Sequence, residues 1–257
     1  MNERPLVLLT NDDGVHAAGI RALAAALGRF ARVVIVAPES EQSATSHTLS
    51  LHRPLRIREL STDVYAVDGS PADCVYVALY AEKRALPRRP DLVVSGLNHG
   101  VNLGSDAFYS GTIGGAREGA LRGIPALATS ADVTADRDAA AALAATVAER
   151  FLVTARAHAE STLLFSLNIP GGKGPWTVVE TVLGSRLYAE EVLVAKDPRG
   201  REYLWIGGGT VSHGEAPGSD TEAFDAGRAS ITPLRLDLTS AEHAALARTL
   251  VTSLPRA

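Results

Sequence analysis

The sequence predicts an α/β protein, a mostly parallel sheet flanked by helices with a β-rich appendage late in the chain. Short apolar runs recur at Leu6 to Thr10, Val33 to Ala37, Asp91 to Ser95 and Ala126 to Ser130. Helical stretches around Ala17 to Leu27, Ala72 to Lys83 and Ile113 to Arg122 lie between them, the alternation that βαβ units produce. At 257 residues, 46% apolar and 21% charged, the chain is long enough to bury a sizeable core as one large domain.

The first strand ends abruptly in Thr10-Asn11-Asp12-Asp13-Gly14. In an open parallel sheet the ligand crevice lies beyond the carboxyl ends of the strands, so this doublet belongs at the rim. Adjacent carboxylates repel unless a cation or proton intervenes, and a hard divalent ion such as Mg²⁺ or Mn²⁺ suits oxygen ligands. The competing reading is a strand-to-helix turn in which an Asp caps the helix that begins near Ala17. After the second strand, Ala37-Pro38-Glu39-Ser40-Glu41-Gln42-Ser43-Ala44-Thr45-Ser46-His47 reaches the same crevice; Ser43 offers an oxygen to a metal or serves ordinary turn chemistry.

Ser70-Pro71 opens the next helix as N-cap and first-turn proline. The third strand leads into Gly96-Leu97-Asn98-His99-Gly100-Val101-Asn102-Leu103-Gly104, two amides among glycines that let backbone approach a ligand. Tyr109-Ser110-Gly111-Thr112-Ile113-Gly114 then enters a helix whose free N–H groups and dipole favour an anion such as phosphate; a plain N-cap by Ser110 or Thr112 is the alternative. Oxygen donors and an anion cradle on neighbouring strand ends together describe metal-assisted phosphoryl chemistry.

An Ala-rich helix follows from Asp138 to Ala157, with Asp132, Asp136 and Asp138 as its solvated acidic start. Gly171-Gly172-Lys173-Gly174-Pro175 breaks the pattern, and hairpin-like segments appear around Val192 to Ala195 and Tyr203 to Ile206. Residues from about 171 to 229 therefore read as the appendage, with exposed edges that a second subunit would cover. Gly207-Gly208-Gly209 lacks the Lys-Ser/Thr of a phosphate loop and reads as a turn. A strand over Ser230 to Leu238 and a helix over Ser240 to Leu254 close the chain.

A net charge of −4 argues against a polymeric nucleic-acid partner. The expectation is a cytoplasmic protein without a membrane partner, since neither a signal segment nor an apolar run of about 20 residues is present. The single cysteine, Cys74, excludes an intramolecular disulfide and any Cys-rich zinc site, and reads as a buried small hydrophobe.

Thr10-Asn11-Asp12-Asp13-Gly14, Ala37-Pro38 with Gln42-Ser43, Gly69 to Val75, Ser95-Gly96-Leu97-Asn98-His99-Gly100 through Asn102-Leu103-Gly104, Tyr109-Ser110-Gly111-Thr112 and Ser230-Ile231-Thr232-Pro233-Leu234 resemble the SurE family of metal-dependent nucleotidases, over nearly the whole chain. The resemblance implies a single Rossmann-like α/β domain over residues 1–257, with a hairpin extension used in homodimer or homotetramer assembly. It implies hydrolysis of nucleoside 5′- and 3′-monophosphates, and of short polyphosphate in some members. Carried over by motif, Asp12, Asp13, Ser43 and Asn98 would ligate one divalent cation per subunit, with Asp12 and Asp13 the catalytic pair, while Asn102, Ser110, Gly111 and Thr112 would hold phosphate. Ser46 stands where the family usually has glycine, a change in the loop that carries Ser43.

His16, His47 and His99 fall near the rim, each either a proton donor to a leaving group or a structural loop residue. A receiver-type domain needs a phosphoacceptor Asp where this chain has Ser95-Gly96, and a zinc deacetylase needs histidine where it has Thr10-Asn11. The remaining rival is a non-catalytic, metal-dependent nucleotide-binding regulator, which turnover would distinguish.

Overall fold

The computed structural model describes residues 4–158, 162–188, 192–206 and 211–254. In chain order the first half comprises β1 (Leu6–Thr10), α1 (Ala18–Leu27), β2 (Arg32–Pro38), β3 (Ile57–Ser61), β4 (Val64–Val67), α2 (Pro71–Tyr80) and β5 (Leu92–His99). Next come α3 (Asp106–Tyr109), α4 (Gly111–Leu121), β6 (Ala126–Ala131), α5 (Arg137–Ala157) and β7 (Leu164–Ile169). The remainder is β8 (Val178–Glu180), β9 (Arg186–Tyr188), β10 (Val192–Lys196), β11 (Glu202–Ile206), β12 (Val211–His213), α6 (Asp220–Asp225), β13 (Ala229–Pro233) and α7 (Ala244–Thr252).

The expected mostly parallel sheet is present, nine strands in the order β3-β4-β2-β1-β5-β6-β7-β13-β8. From β4 through β7 every neighbouring pair is parallel, whereas β3 and β13 run antiparallel to β4 and β7. The central strands are buried on both faces, and their period of two divides the side chains between two cores. Val7, Leu9 and Val94 pack with Ile20, Leu23, Leu27 and the small-residue face Ala140, Ala144 and Ala148 of α5. Leu6, Leu8, Val34 and Val36 pack on the other face with Cys74, Val75, Ile113 and Ala116. Cys74 is a buried free thiol, as expected.

Local signals explain the helix starts. Ser70 and Asp73 form a reciprocal capping box at α2 with Pro71 in the first turn, and Asp136 caps α5 by accepting from the Ala139 N–H at 2.9 Å. The helix expected to reach Lys83 ends at Tyr80, because Glu82 and Lys83 lie in the left-handed region at φ 42° and 60°.

Other differences are informative. The β3–β4 hairpin and β7 were not anticipated, and β5 continues past Ser95 to His99 with a register shift against β6 between Ser95 and Asn98. The final strand stops at Pro233 rather than Leu238, since proline has no N–H to continue the ladder. Within the appendage, β8 joins the main sheet beside β13, so the part outside that sheet is β9 to β12, arranged as the β10–β11 hairpin and the β9–β12 ribbon. The expected turn at Gly207-Gly208-Gly209 lies outside the described residues. Among the described residues no helix is long and apolar enough to cross a membrane.

Candidate active site

The carboxyl ends of β1, β2 and β5 converge with the α3–α4 junction on one crevice of about 420 Å³, lined by Asp12, Asp13, Ser43, Asn98, Asn102 and Ser110 among others. Six of the residues expected at the site therefore share one wall. Helix α1 begins after Ala17, which makes no side-chain cap bond, so neither Asp12 nor Asp13 is a helix cap. The turn between them and α1 is instead set by Asn11, whose Nδ2 donates to the Gly14 carbonyl at 3.0 Å.

Burial, with the charge of Asp13 adding to it, pushes the pKa of Asp12 up to about 6, against the hydrogen bond from Thr112 that lowers it. Asp13 is also raised, chiefly by burial and further by Glu41, while the His99 N–H donating to its Oδ2 at 3.2 Å works the other way. Two carboxylates that each resist ionisation, side by side at a strand end, leave an electrostatic demand for a cation. The remaining donors are of matching hardness. Asn98 commits its Nδ2 to the Gly100 carbonyl at 2.8 Å, so its Oδ1 is the atom left to serve as a ligand. Ser43 donates its hydroxyl to Glu41 Oε1 at 2.7 Å, and the oxygen keeps lone pairs for a metal. Among the described residues no three His, Cys, Asp or Glu side chains are grouped closely enough to hold a metal ion by themselves, so this donor set is two carboxylates with amide and hydroxyl oxygens. That set fits Mg²⁺ or Mn²⁺ and not a nitrogen- or sulfur-seeking ion.

The anion cradle divides in two. Ser110 is the N-cap of α4, accepting from the Ile113 N–H at 3.1 Å, and its side chain lines the crevice. Thr112 is fully buried and absent from the lining; its hydroxyl donates to Asp12 Oδ1. Gly111 makes that approach possible, because a Cβ there would sit 3.0 Å from Asp12 Cβ. The N-terminus of α4 thus rests on Asp12, and of the four cradle residues Ser110 and Asn102 line the crevice. Asn102 is held by its N–H to Asn168 Oδ1 at 2.7 Å and its Nδ2 to Ser130 Oγ at 2.8 Å.

The segment carrying Ser43 is fastened at both ends. The Gln42 N–H donates to the Asp12 carbonyl at 2.7 Å, and His47 Nε2 pairs with Glu118 Oε2 of α4 at 2.7 Å. His47 is therefore a structural contact, His16 is exposed, and His99 lines the crevice. Glu41, Ala44, Asp106, Tyr109 and Tyr188 complete the lining. Sequence reasoning gave Glu41, Asp106 and Glu118 no role; Glu41 stood inside the quoted motif, whereas Asp106 and Glu118 carry no local signal.

The family described as survival protein SurE matches residues 7–190 of the chain. The chain is 56% identical over 255 residues to a protein of Sorangium cellulosum named 5′-nucleotidase SurE, covering 98% of this chain and 97% of that one. It is 45% identical over 240 residues to a Myxococcus xanthus protein of the same name, covering 93% and 90% of the two. The crystal structure of the SurE protein from Aquifex aeolicus matches with a TM-score of 0.81 at 35% identity, over 96% of this chain and 100% of that one. With the family matched over residues 7–190 and a relative 56% identical over nearly the whole chain, the chain belongs to the SurE family.

Proposed function

We propose that the protein is a metal-dependent 5′-nucleotidase, a phosphohydrolase releasing phosphate from nucleoside 5′- and 3′-monophosphates, with short polyphosphate as a further substrate class. The observation that carries the reading is the Asp12–Asp13 doublet, both members with raised pKa, on a crevice shared with Ser43, Asn98, Asn102 and Ser110.

Asp12, Asp13, Ser43 and Asn98 would hold one divalent cation, Mg²⁺ or Mn²⁺. When bound, such an ion neutralises phosphoryl charge and makes a bound water more acidic. Asn102 and Ser110 bind the phosphate beside it. The dipole at the start of α4, with Gly111 and Thr112, stabilises negative charge there and holds Asp12 in place. His99 lines the crevice and would be the group to give a proton to the departing nucleoside oxygen.

The protein would act in the cytoplasm as a homodimer or homotetramer. Support for assembly comes from the β10–β11 hairpin, where Leu193, Leu204, Trp205 and Ile206 are all exposed, Ile206 to 92%.

The test is inorganic phosphate release from a panel of nucleoside monophosphates after EDTA treatment and again with Mg²⁺ or Mn²⁺ restored. Release that vanishes with EDTA and returns with metal is expected. Saturable nucleotide binding with no release under any metal would make the protein a regulator instead.

A further inference from the structure

The crevice wall contains a carboxylate that the reading above does not use. Asp106, the first residue of α3, is buried and lines the crevice together with Asp12, Asp13 and Ser110. A further carboxylate beside an anion site should repel a phosphate dianion, most strongly where little water screens it. Two side chains of β9, in the appendage, meet that charge. Arg186 Nη1 donates to Asp106 Oδ2 at 2.5 Å, and the Tyr188 hydroxyl donates to Oδ1. The ion pair is largely shielded from solvent, with side-chain exposures of 17% and 12%. Burial and the hydrogen bond to Asp106 push the Tyr188 phenol up to about 12, so it stays a donor.

A second carboxylate holds the same two segments together from the other side. Asp220, at the start of α6, accepts from the Gly104 N–H at 3.0 Å and from the Gly184 N–H at 2.7 Å. The two backbones are so close that a Cβ on Gly104 would lie 2.6 Å from the Gly184 carbonyl oxygen. Asp106 passes its position on, since its carbonyl accepts from the N–H of Ser110, the N-cap of α4, at 2.9 Å.

We infer that Arg186 is a positioning residue for phosphate binding: it neutralises Asp106 in the crevice wall, so the appendage sets the affinity of the site for phosphate. The inference rests on the crevice being the phosphate site. It commits to electrostatics, because Arg186 is needed only while Asp106 is charged.

The experiment compares wild type with Arg186→Gln, Asp106→Asn, the double variant and Arg186→Lys. It reads KM and kcat for a nucleoside monophosphate, and the affinity for inorganic phosphate by calorimetry on Mn²⁺-loaded protein. Arg186→Gln should weaken phosphate binding and raise KM by about tenfold or more, with kcat within about twofold. Arg186→Lys should fall between that variant and wild type. The double variant should recover most of the loss, and Asp106→Asn alone should bind phosphate at least as tightly as wild type. A double variant no better than Arg186→Gln, or a loss confined to kcat, would overturn the inference. Should Arg186→Gln not fold, Asp106→Asn decides alone, weaker phosphate binding counting against the inference. A wild type that binds phosphate without turnover sinks only the nucleotidase reading and leaves the calorimetric comparison intact; a wild type that binds no phosphate overturns both.

Discussion

Thr112, in the first turn of α4, donates its hydroxyl hydrogen to Oδ1 of Asp12 at the end of β1, joining residues 100 apart in sequence. Burial is the larger effect and raises the pKa of Asp12 to about 6; the bond works against it by stabilising the ionised form.

Thr112→Val keeps the shape and removes the hydroxyl. Asp12 should then ionise at still higher pH, moving the acid limb of the pH–rate profile upward and lowering kcat/KM at neutral pH by about two- to tenfold. Thr112→Ser should stay near wild type. A pH–rate profile unchanged in Thr112→Val would contradict this account.

Asp12 itself couples stability to pH. Its folded pKa of about 6 stands above the ordinary 3.8, so the folded chain binds that proton more tightly than the unfolded chain does. Above pH 6 the ionised group therefore destabilises the metal-free fold, by about 2 to 3 kcal/mol, and the penalty fades as pH falls from 6 toward 3.8. Asp12→Asn should melt higher than wild type in EDTA at about pH 7.5, with the gap closing toward about pH 4. Thermal melts of both proteins across that range decide it, and a gap independent of pH would refute it.

Glu118 is a different case. Burial works to raise its pKa, yet the hydrogen bonds from His47 and Arg122 hold it below the usual carboxylate range. The stability this gives is present above the ordinary value of 4.5 and is lost as pH falls through the folded value. Glu118→Ala should destabilise by about 3 kcal/mol at neutral pH in urea titrations, and by less in acid. It should also loosen the Ser43 segment, which is packed on α4 so closely that a Cβ on Gly114 would lie 2.2 Å from the Ser46 carbonyl oxygen. Wild-type resistance to urea in the Ala variant would show the buried cluster to be dispensable.

The exposed hairpin gives the last expectation. Light scattering on the purified protein should report a dimer or tetramer, and Trp205→Asp with Ile206→Asp should shift it to smaller species without unfolding the sheet. A wild-type monomer at micromolar concentration would remove the assembly proposal.

Much of the site was legible because Asp12, Asp13 and Asn98 stand at strand ends, and an abrupt change from apolar to acidic or amide residues marks such an end locally. The two readings of Asp12 could not be separated that way, since only the uncapped start of α1 at Ala17 shows that the acids are not caps. Strand β7 escaped notice because an apolar run buried on both faces lacks the alternation that distinguishes a strand from the tail of a helix. The β3–β4 hairpin carries Arg58 and Glu59 and looks like a polar loop. Asp106 and Arg186 meet across 80 residues, and nothing within either neighbourhood announces the other.

Strand β13 lies between β7 and β8, and among the described residues β8 has no other neighbour in the sheet. During synthesis the segment at Val178–Glu180 therefore leaves the ribosome well before the strand it must pair with exists. The appendage between them stays untethered over that interval, its apolar hairpin open to the wrong company. A chain cut short before Ala229 would lose β8 from the sheet as well as β13, leaving β7 as a bare edge. A deletion near the C-terminus would in this way be felt as aggregation arising from the middle of the chain.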